Sequence, residues 1–319
     1  MAEVAGYIGL ADGIYEDMPM SEYLALGKPV VDQATGEIVS TESFISSSIV
    51  KEMYWRSEFH ALRKLQGADE DDTARKRLGS LVHTAVLEPH LLDVDFYVLP
   101  EPDPEKYRTG DGSVSKNVRA TSAYKEAVAA CAAENLGKTA VEASDLHACA
   151  LIREGIERCE DARLLCAAEG RIELTVLATD PVTGLRVKGR FDKLLTNRWD
   201  LNLKGCRSAR FHQFQRDVSN IHFIGAGFYK LLADWAGIPL AKSVILALEL
   251  DAPHVVKPWE LYPDVLDGGE RVTRWALDRI ALAMKRESWP AYGDRIEGMA
   301  LTEEAYRRID ERLEERLPE

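Results

Sequence analysis

Three polar side chains alternate with apolar ones in the segment Trp199–Lys204, a pattern that places them on one face of a β-strand. Asp200, Asn202 and Lys204 share that face, because successive side chains of a strand point to opposite sides. Asp192 lies one hairpin earlier, on the preceding predicted strand, and adjacent strands are about 5 Å apart. The carboxylate of Asp192 can therefore reach the same point in space as the side chain of Asn202.

Oxygen ligands beside an ammonium group are typical of a magnesium site that hydrolyses phosphodiesters. Mg²⁺ prefers octahedral oxygen coordination and keeps several of its waters. A bound metal ion would lower the pKa of the attacking water and neutralise charge on the phosphate, while Lys204 would orient that water or help to deprotonate it. Spacing alone leaves a second interpretation open, an Asp–Lys ion pair on the surface of a hairpin.

The chain is acidic as a whole, whereas the segment around these residues is basic. Its 319 residues include 40 basic and 53 acidic side chains, for a formal net charge of −13. Between Arg186 and Arg216 there are nine Lys or Arg residues and only two acids. This distribution favours an enclosed phosphate-binding groove, with an ordinary solvated strand face as the alternative. The DNA contacts predicted from this stretch are Arg186, Lys188, Arg190, Arg207 and Arg210.

The composition disfavours several other classes of protein. The five cysteines include no C-x-x-C pair, which argues against a disulfide framework, a zinc ribbon and an iron–sulfur cluster. No phosphate-loop motif is present, so we expect no requirement for ATP. The chain has no apolar run of about eighteen residues and no signal-peptide pattern, which predicts a cytoplasmic protein that does not associate with membranes.

Apolar periodicity predicts the elements that would position the site. Strands rich in the middle of the chain and helices around them indicate an α/β (α+β) fold, with a central mixed sheet flanked by helices. We interpret the chain as one domain, 1–319, with an N-terminal wrap over 1–45 and a C-terminal helical extension over 255–319. Strands are predicted at about 171–177, 185–195, 199–204 and 243–250, the first three as an antiparallel meander. Helices are predicted at about 46–65, 73–88, 122–135, 144–168, 219–236, 269–288 and 302–317, and a loop over 100–120.

Short motifs along the chain resemble those of the PD-(D/E)xK nuclease superfamily. Asp192 followed by Asn202-Leu203-Lys204 is similar to the D-(x)n-(D/E)-x-K signature, and Gly79–Pro89 resembles the G-x-x-x-H helix of the RecB-like branch. Together with that helix, an ordered set of segments resembles the exodeoxyribonuclease VIII (RecE-type) exonucleases of phages and prophages over about residues 12–300. These segments are Gly13–Tyr23, Ile45–Ser48, Thr179–Leu185 and Trp289–Tyr292.

The resemblance implies a restriction-endonuclease-like core and a Mg²⁺-dependent exonuclease, for which Mn²⁺ could substitute. Such an enzyme digests one strand of linear duplex DNA from 5′ to 3′ and leaves a 3′ overhang for a RecT-type single-strand annealing partner in recombination. His83 and Asp192 would be metal ligands, and Lys204 would be the catalytic lysine. Glu173 falls where related nucleases often keep an acid, and Tyr229 resembles the tyrosine of the Q-x-x-x-Y helix, so both are expected to support the site.

Two positions depart from the family pattern. Asn202 stands where a catalytic, metal-binding aspartate or glutamate is expected, and it keeps an acceptor oxygen but lacks the negative charge. A divalent ion would therefore bind more weakly, which predicts an inactivated or weakened enzyme. Three explanations are open: an inactivating change introduced for study, a natural loss of activity, or compensation by Asp200 from the same face. Gly225 stands where a glutamine is expected, and a DNA-positioning contact would be missing there.

Three functional hypotheses remain open from the sequence. The first is an exonuclease acting on duplex ends, and the second is a catalytically silent DNA-end-binding protein, which Asn202 would permit. The third, a RecB-like nuclease of the CRISPR-adaptation or helicase–nuclease type, lacks its expected iron–sulfur cysteines or helicase motifs here. The acidic exterior and basic centre also predict a homo-oligomer, with a ring around DNA as the form that suits a processive exonuclease.

Overall fold

The computed structural model describes residues 10–27, 30–31, 38–40, 43–67, 73–293 and 295–314. Its strands are β1 (Gly13–Tyr15), β2 (Val30–Val31), β3 (Ile38–Ser40), β4 (Phe44–Ile45), β5 (Phe96–Val98), β6 (Thr139–Val141), β7 (Gly170–Thr179), β8 (Arg186–Leu195), β9 (Trp199–Cys206), β10 (Lys242–Glu249) and β11 (Val256–Leu261). Its helices are α1 (Met20–Ala25), α2 (Ser47–Trp55), α3 (Glu58–Leu65), α4 (Ala74–Leu87), α5 (Leu92–Asp95), α6 (Ser122–Glu134), α7 (Ala143–Arg158), α8 (Glu160–Ala167), α9 (Phe211–Asp217), α10 (Phe223–Trp235), α11 (Pro263–Arg286) and α12 (Glu303–Glu314). A π-helical turn, Val218–His222, joins α9 to α10.

A mixed sheet forms the centre of the fold. Its strands lie in the order β1-β7-β8-β9-β10-β11, and β4 pairs with the first two residues of β8. The pairs β7–β8, β8–β9 and β10–β11 are antiparallel, while β9 and β10 run parallel. The predicted antiparallel meander is therefore confirmed, and so is the fold class, a mixed sheet flanked by helices.

Helices cover both faces of this sheet. Val244 and Leu246 of β10 belong to an apolar cluster with α4 and α7, whereas Ile245 and Ala247 pack on the opposite side, against α9. A further cluster joins β7 and β8 to α2, α10 and α11. Because neighbouring residues of β10 enter different clusters, both faces of this strand are buried, which explains its continuous apolar sequence.

The strands β8 and β9 separate soon after the hairpin turn that joins them. Among the described residues, their pairing is confined to two residue pairs next to that turn. In the neighbouring hairpin, Ile172 pairs with Lys193 and Leu174 with Phe191, so Glu173 and Asp192 lie between these two pairs. Glu173 has a φ of 50°, which is unusual for a residue with a side chain. Ile172 and Leu174 enter different apolar clusters although they are two residues apart, so the alternation of β7 breaks at Glu173. The break in β7 and the opening between β8 and β9 lie at the same level of the sheet.

Several helices differ from their predicted bounds for local reasons. The helix predicted at 46–65 is two helices, because Ser57 accepts a hydrogen bond from the backbone of His60 and caps a new helix, α3. The helix predicted at 144–168 is likewise divided, at Cys159, into α7 and α8. The helix predicted from 219 begins earlier, at Phe211, and passes through the π-helical turn. The one predicted from 269 begins at Pro263, a residue that fits the first turn of a helix.

The two ends of the chain also contain sheet structure. Val256–Leu261, where a helical extension was predicted, forms β11 and pairs with β10 at the edge of the central sheet, a position that tolerates Pro258. In the predicted N-terminal wrap, β1 pairs with β7 and β4 with β8. That wrap also contains α1 and the β2–β3 pair. Residues 1–9, 28–29, 32–37 and 41–42 of the wrap, and residues 315–317 of the last predicted helix, lie outside the described residues. No helix in the described part of the chain combines the length and the apolarity needed to cross a membrane.

The helices α10 and α11 cross with their backbones in contact at two glycines. A Cβ atom at Gly227 would lie 2.1 Å from the backbone of Gly269 and Glu270, closer than real carbon atoms approach. We expect Gly227→Ala to lower the free energy of unfolding by about 3 kcal/mol, because the helices would have to move apart. Chemical denaturation measures this loss.

The neighbouring Gly268 provides the matched control. A Cβ atom there would meet only Phe223, at an ordinary 3.7 Å. Alanine also has the higher helix propensity, so Gly268→Ala should cost no stability. Equal stability of the Gly227→Ala and Gly268→Ala variants would show that the crossing can adjust without penalty.

Candidate active site

His83, Glu173 and Asp192 come together at the opening between β8 and β9. One ligand atom of each side chain lies within 4.8 Å of the ligand atoms of the other two. α4 supplies His83, β7 supplies Glu173 at the break in its alternation, and β8 supplies Asp192. One imidazole nitrogen and two carboxylates at this separation are a donor set that fits a divalent metal ion.

The carboxylate of Asp192 takes the place of the missing pairing between β8 and β9. Its Oδ2 atom accepts a hydrogen bond of 2.7 Å from the backbone N–H of Leu203. The Nζ atom of Lys204 lies 3.8 Å from the same oxygen and donates to the carbonyl of Leu203 at 3.0 Å. The aspartate and the lysine that the sequence singled out are therefore adjacent, and the backbone of β9 holds both.

The ring of His83 is held by the same backbone segment. Its Nε2 atom lies 3.0 Å from the carbonyl oxygen of Leu203, and because a carbonyl only accepts, Nε2 carries the hydrogen. Burial lowers the pKa of His83, although Asp192 acts in the opposite direction, so the ring is neutral at neutral pH. Nδ1 then keeps its lone pair and lies 3.8 Å from Asp192 Oδ2. A backbone hydrogen bond that fixes the tautomer in this way is typical of metal-binding histidines.

Glu173 is held in place by Arg190. The Nε atom of Arg190 donates to Glu173 at 2.6 Å, and its NH1 group donates to the carbonyl of Met18 at 2.7 Å. Burial, followed by the charge of Asp192, raises the pKa of Glu173 to about 7 in spite of this arginine. Two carboxylates forced together in this way favour a cation between them.

A cavity of about 90 Å³ adjoins this cluster on the side of α10. Asp200, Asn202 and Lys204 line it together, as their alternation along β9 predicts. Asp200 is 4% exposed and Asn202 is 8% exposed, and the Oδ1 atoms of both accept no hydrogen bond from any described residue. Burial, followed by the charge of Asp192, raises the pKa of Asp200 to about 7. Leaving a buried acceptor without a hydrogen-bond donor costs free energy, and a water molecule or a cation bound in the cavity would offset that cost.

Tyr229 positions the strand that carries Asp192. Its hydroxyl donates to the carbonyl of Arg190 at 2.9 Å, and its ring packs on Phe191 with 4.9 Å between ring centroids. These contacts fix β8 directly before Asp192. The tyrosine predicted to support the site therefore acts on the backbone of β8, while Gly225, one helical turn earlier, lines the cavity.

The five predicted DNA-binding residues fall into two groups. Arg186, Lys188 and Arg190 bind backbone carbonyls of the N-terminal segment 10–26, and Lys188 donates to Tyr23 at 2.9 Å and to Leu26 at 2.6 Å. This segment covers them, so a role for these three in DNA binding stays a prediction that requires the segment to move. Arg207 and Arg210 are exposed beyond the end of β9.

Two further residues of the cavity were not predicted from the sequence. Lys51, on α2, and His222, in the π-helical turn, line it together with Lys204. Burial, followed by the charges of Lys204 and Lys51, lowers the pKa of His222 to about 3, so this ring is neutral. A π-helical turn often marks a functional site, but no sequence pattern predicted one here.

Comparisons with known proteins agree with this fold. Residues 46–302 match a family model described as a PDDEXK-like domain of unknown function (DUF3799). No curated protein matches the chain. A solved structure from Eubacterium rectale, described provisionally as an exonuclease, has a TM-score of 0.51 at 15% identity and covers 82% of this chain and 91% of that one, a likeness of fold. The structure of SSO0001 has 16% identity over 66% of this chain and 87% of that one, with a TM-score of 0.28, which is too low to support an argument.

Proposed function

The chain belongs to the DUF3799 family of PDDEXK-like domains, and we propose that it is a DNA nuclease that depends on a divalent metal ion. The observation that carries this proposal is the convergence of His83, Glu173 and Asp192 beside Lys204 at the opening between β8 and β9. Mg²⁺ is the proposed ion, with Mn²⁺ as its substitute. ATP has no proposed role.

The side chains divide the chemistry between them. His83, Glu173 and Asp192 would hold a divalent ion, with Asn202 at the further ligand position that the family pattern implies. When bound, that ion would supply the positive charge that activates water and stabilises the phosphate. Lys204, held by the carbonyl of Leu203, orients the attacking water and stabilises charge on the scissile phosphate. The Nε2 atom of His83 is hydrogen-bonded to the carbonyl of Leu203 in β9, which leaves Nδ1 available as a metal ligand.

The proposed substrate is linear duplex DNA, digested from 5′ to 3′ to leave a 3′ overhang for a single-strand annealing partner. Support for this finer proposal comes from the ordered motifs that resemble the RecE-type exonucleases of phages. The proposed DNA contacts begin with the exposed Arg207 and Arg210 beyond β9. We also propose a homo-oligomeric ring around DNA, because the acidic chain carries its basic stretch at the centre of the fold. The proposed location is the cytoplasm of a bacterial host.

Digestion of a labelled duplex tests the function. A linear duplex labelled at either the 5′ or the 3′ end is incubated with the protein and Mg²⁺ or Mn²⁺, with EDTA and a covalently closed circle as controls. We expect loss of the 5′ label first, no cleavage in EDTA and an intact circle. Cleavage of the circle would contradict an exonuclease, and early loss of the 3′ label would contradict the proposed polarity.

Asn202 favours a second candidate function, a DNA-end-binding protein without catalysis. The position lacks the carboxylate expected there, and its Oδ1 atom has no donor among the described residues. Such a protein would bind duplex ends but would not cut them, even after aspartate is restored at position 202. Cleavage by that restored variant would exclude it.

A further inference from the structure

Lys51 reaches from α2 into the cavity that Asp200, Asn202 and Lys204 line. It is half-buried, and no carboxylate of the described residues forms an ion pair with it. Burial, followed by the charge of Lys204, lowers the pKa of Lys51 to about 8. Burying an ammonium group next to a second lysine costs free energy. A bound anion would offset that cost.

Gly225 leaves space for this ammonium group. A Cβ atom at Gly225 would lie 3.4 Å from the Nζ atom of Lys51, so a longer side chain at that position would extend into the volume that the lysine occupies. The absence of a side chain on α10 and the presence of a long cation on α2 are therefore complementary. Lys51 occupies this volume, opposite the residues of β9.

The start of α2 adds to the positive charge at this end of the cavity. α2 begins at Ser47, and Ser47 lines the cavity one turn before Lys51. The N-terminus of a helix carries a partial positive charge and free N–H groups, which together favour phosphate. The lining of the cavity thus combines two ammonium groups, Lys51 and Lys204, and the helix start at Ser47 with the acceptor oxygens of Asp200 and Asn202.

We propose that Lys51, with Ser47 and the start of α2, binds a phosphate group of the DNA strand directly beside the metal centre. The inference rests on the proposed function and deepens it by identifying a substrate-binding residue. An internal phosphodiester and a terminal 5′-phosphate offer the same chemistry to an ammonium group. The experiment therefore includes both.

Binding can be measured apart from cleavage. The anisotropy of a fluorescent duplex end is followed in Ca²⁺, at several salt concentrations, for 5′-phosphorylated and 5′-hydroxyl ends. We expect Lys51→Ala to weaken binding about tenfold or more, since one charge-assisted hydrogen bond is lost. The slope of log affinity against log salt concentration should fall by about 0.9, the value for one phosphate contact. A loss confined to phosphorylated ends would identify the terminal phosphate, and an equal loss on both ends the internal phosphodiester.

Three further variants separate a phosphate contact from a structural effect. Lys51→Arg keeps the charge and should stay within about threefold of the parent chain. Gly225→Leu keeps the lysine but displaces it, and it should lose affinity as Lys51→Ala does. Lys242→Ala removes a lysine that pairs with Glu260 and does not line the cavity, and it should change nothing. If thermal denaturation shows that the Lys51→Ala variant is not folded, the affinities of Lys51→Arg and Gly225→Leu still decide whether Lys51 contacts a phosphate.

The outcomes distinguish this inference from the proposed function. If the parent chain binds duplex ends and both Lys51→Ala and Gly225→Leu bind them equally well, the phosphate contact is wrong and the nuclease proposal stands. If the parent chain binds no duplex end under any of these conditions, both proposals are wrong. If Lys51→Ala keeps both the affinity and the salt slope of the parent chain, the role of Lys51 is wrong and the proposed function is unaffected.

Discussion

Asp192→Asn is expected to reduce cleavage of linear duplex DNA on the order of a thousandfold, equivalent to about 4 kcal/mol in the activation barrier. The substitution removes a negative charge where the proposed metal ion would be held, next to Lys204 at 3.8 Å. The amide can still accept the hydrogen bond from the N–H of Leu203, so the fold should persist. Initial rates of end-labelled digestion measure the effect.

An exposed aspartate provides the control for this substitution. Asp310 lies on α12, and Asp310→Asn makes the same chemical change at the surface, so its rate should equal that of the parent chain. If the parent chain cuts too slowly, both variants are compared in an Asn202→Asp background. A rate for Asp192→Asn within about tenfold of its parent would show that Asp192 is not a metal ligand.

Asn202→Asp is expected to raise the rate of cleavage at limiting Mg²⁺ by tenfold to a hundredfold, about 1.4 to 2.8 kcal/mol. The Oδ1 atom of Asn202 already lies unpaired in the cavity beside Lys204, so the new charge appears without a rearrangement of β9. Without metal the same charge repels Asp192 and Asp200, and the melting temperature should fall in EDTA. Added Mg²⁺ should then raise the melting temperature more for the variant than for the parent chain.

Asn197→Asp is the matched control, because Asn197 lies exposed in the turn between β8 and β9. It should change neither the rate nor the response to Mg²⁺. If the parent chain cuts as fast as Asn202→Asp, the amide is a sufficient ligand and the role assigned to the charge is wrong. If neither cuts, the silent DNA-end-binding protein becomes the better account.

The sequence predicted the parts of the site that lie on regular elements. One cavity is lined by Asp200, Asn202 and Lys204, because successive side chains of a strand point to opposite faces. The alternation of polar and apolar residues in the sequence predicts this arrangement. The helix that carries His83 was predicted with bounds within a residue of those of α4, because its apolar residues follow a helical period. The strand order of the meander follows from short hairpin turns.

Contacts between distant segments could not be predicted in the same way. The break at Glu173 is a local distortion with positive φ, which no propensity for glutamate indicates. The N-terminal segment accepts hydrogen bonds from Lys188 through backbone carbonyls, which carry no sequence signal. Lys51 became a site residue only when the structure placed it against Gly225, although the unusual glycine was visible in the sequence.

If the proposed metal ion binds where β8 and β9 separate, the supply of that ion affects the lifetime of the protein in the cell. The contact between His83 and Leu203 spans 120 positions of the chain, so the centre exists only when α4 and the strands β7, β8 and β9 are assembled. Whatever binds the assembled centre and not the unfolded chain stabilises the folded state, by about 2.7 kcal/mol at a concentration a hundred times its dissociation constant. Protein unfolded in the cell is open to proteases, and its population falls as stability rises. A nuclease with this architecture would persist where its ion is abundant and be degraded where the ion is scarce.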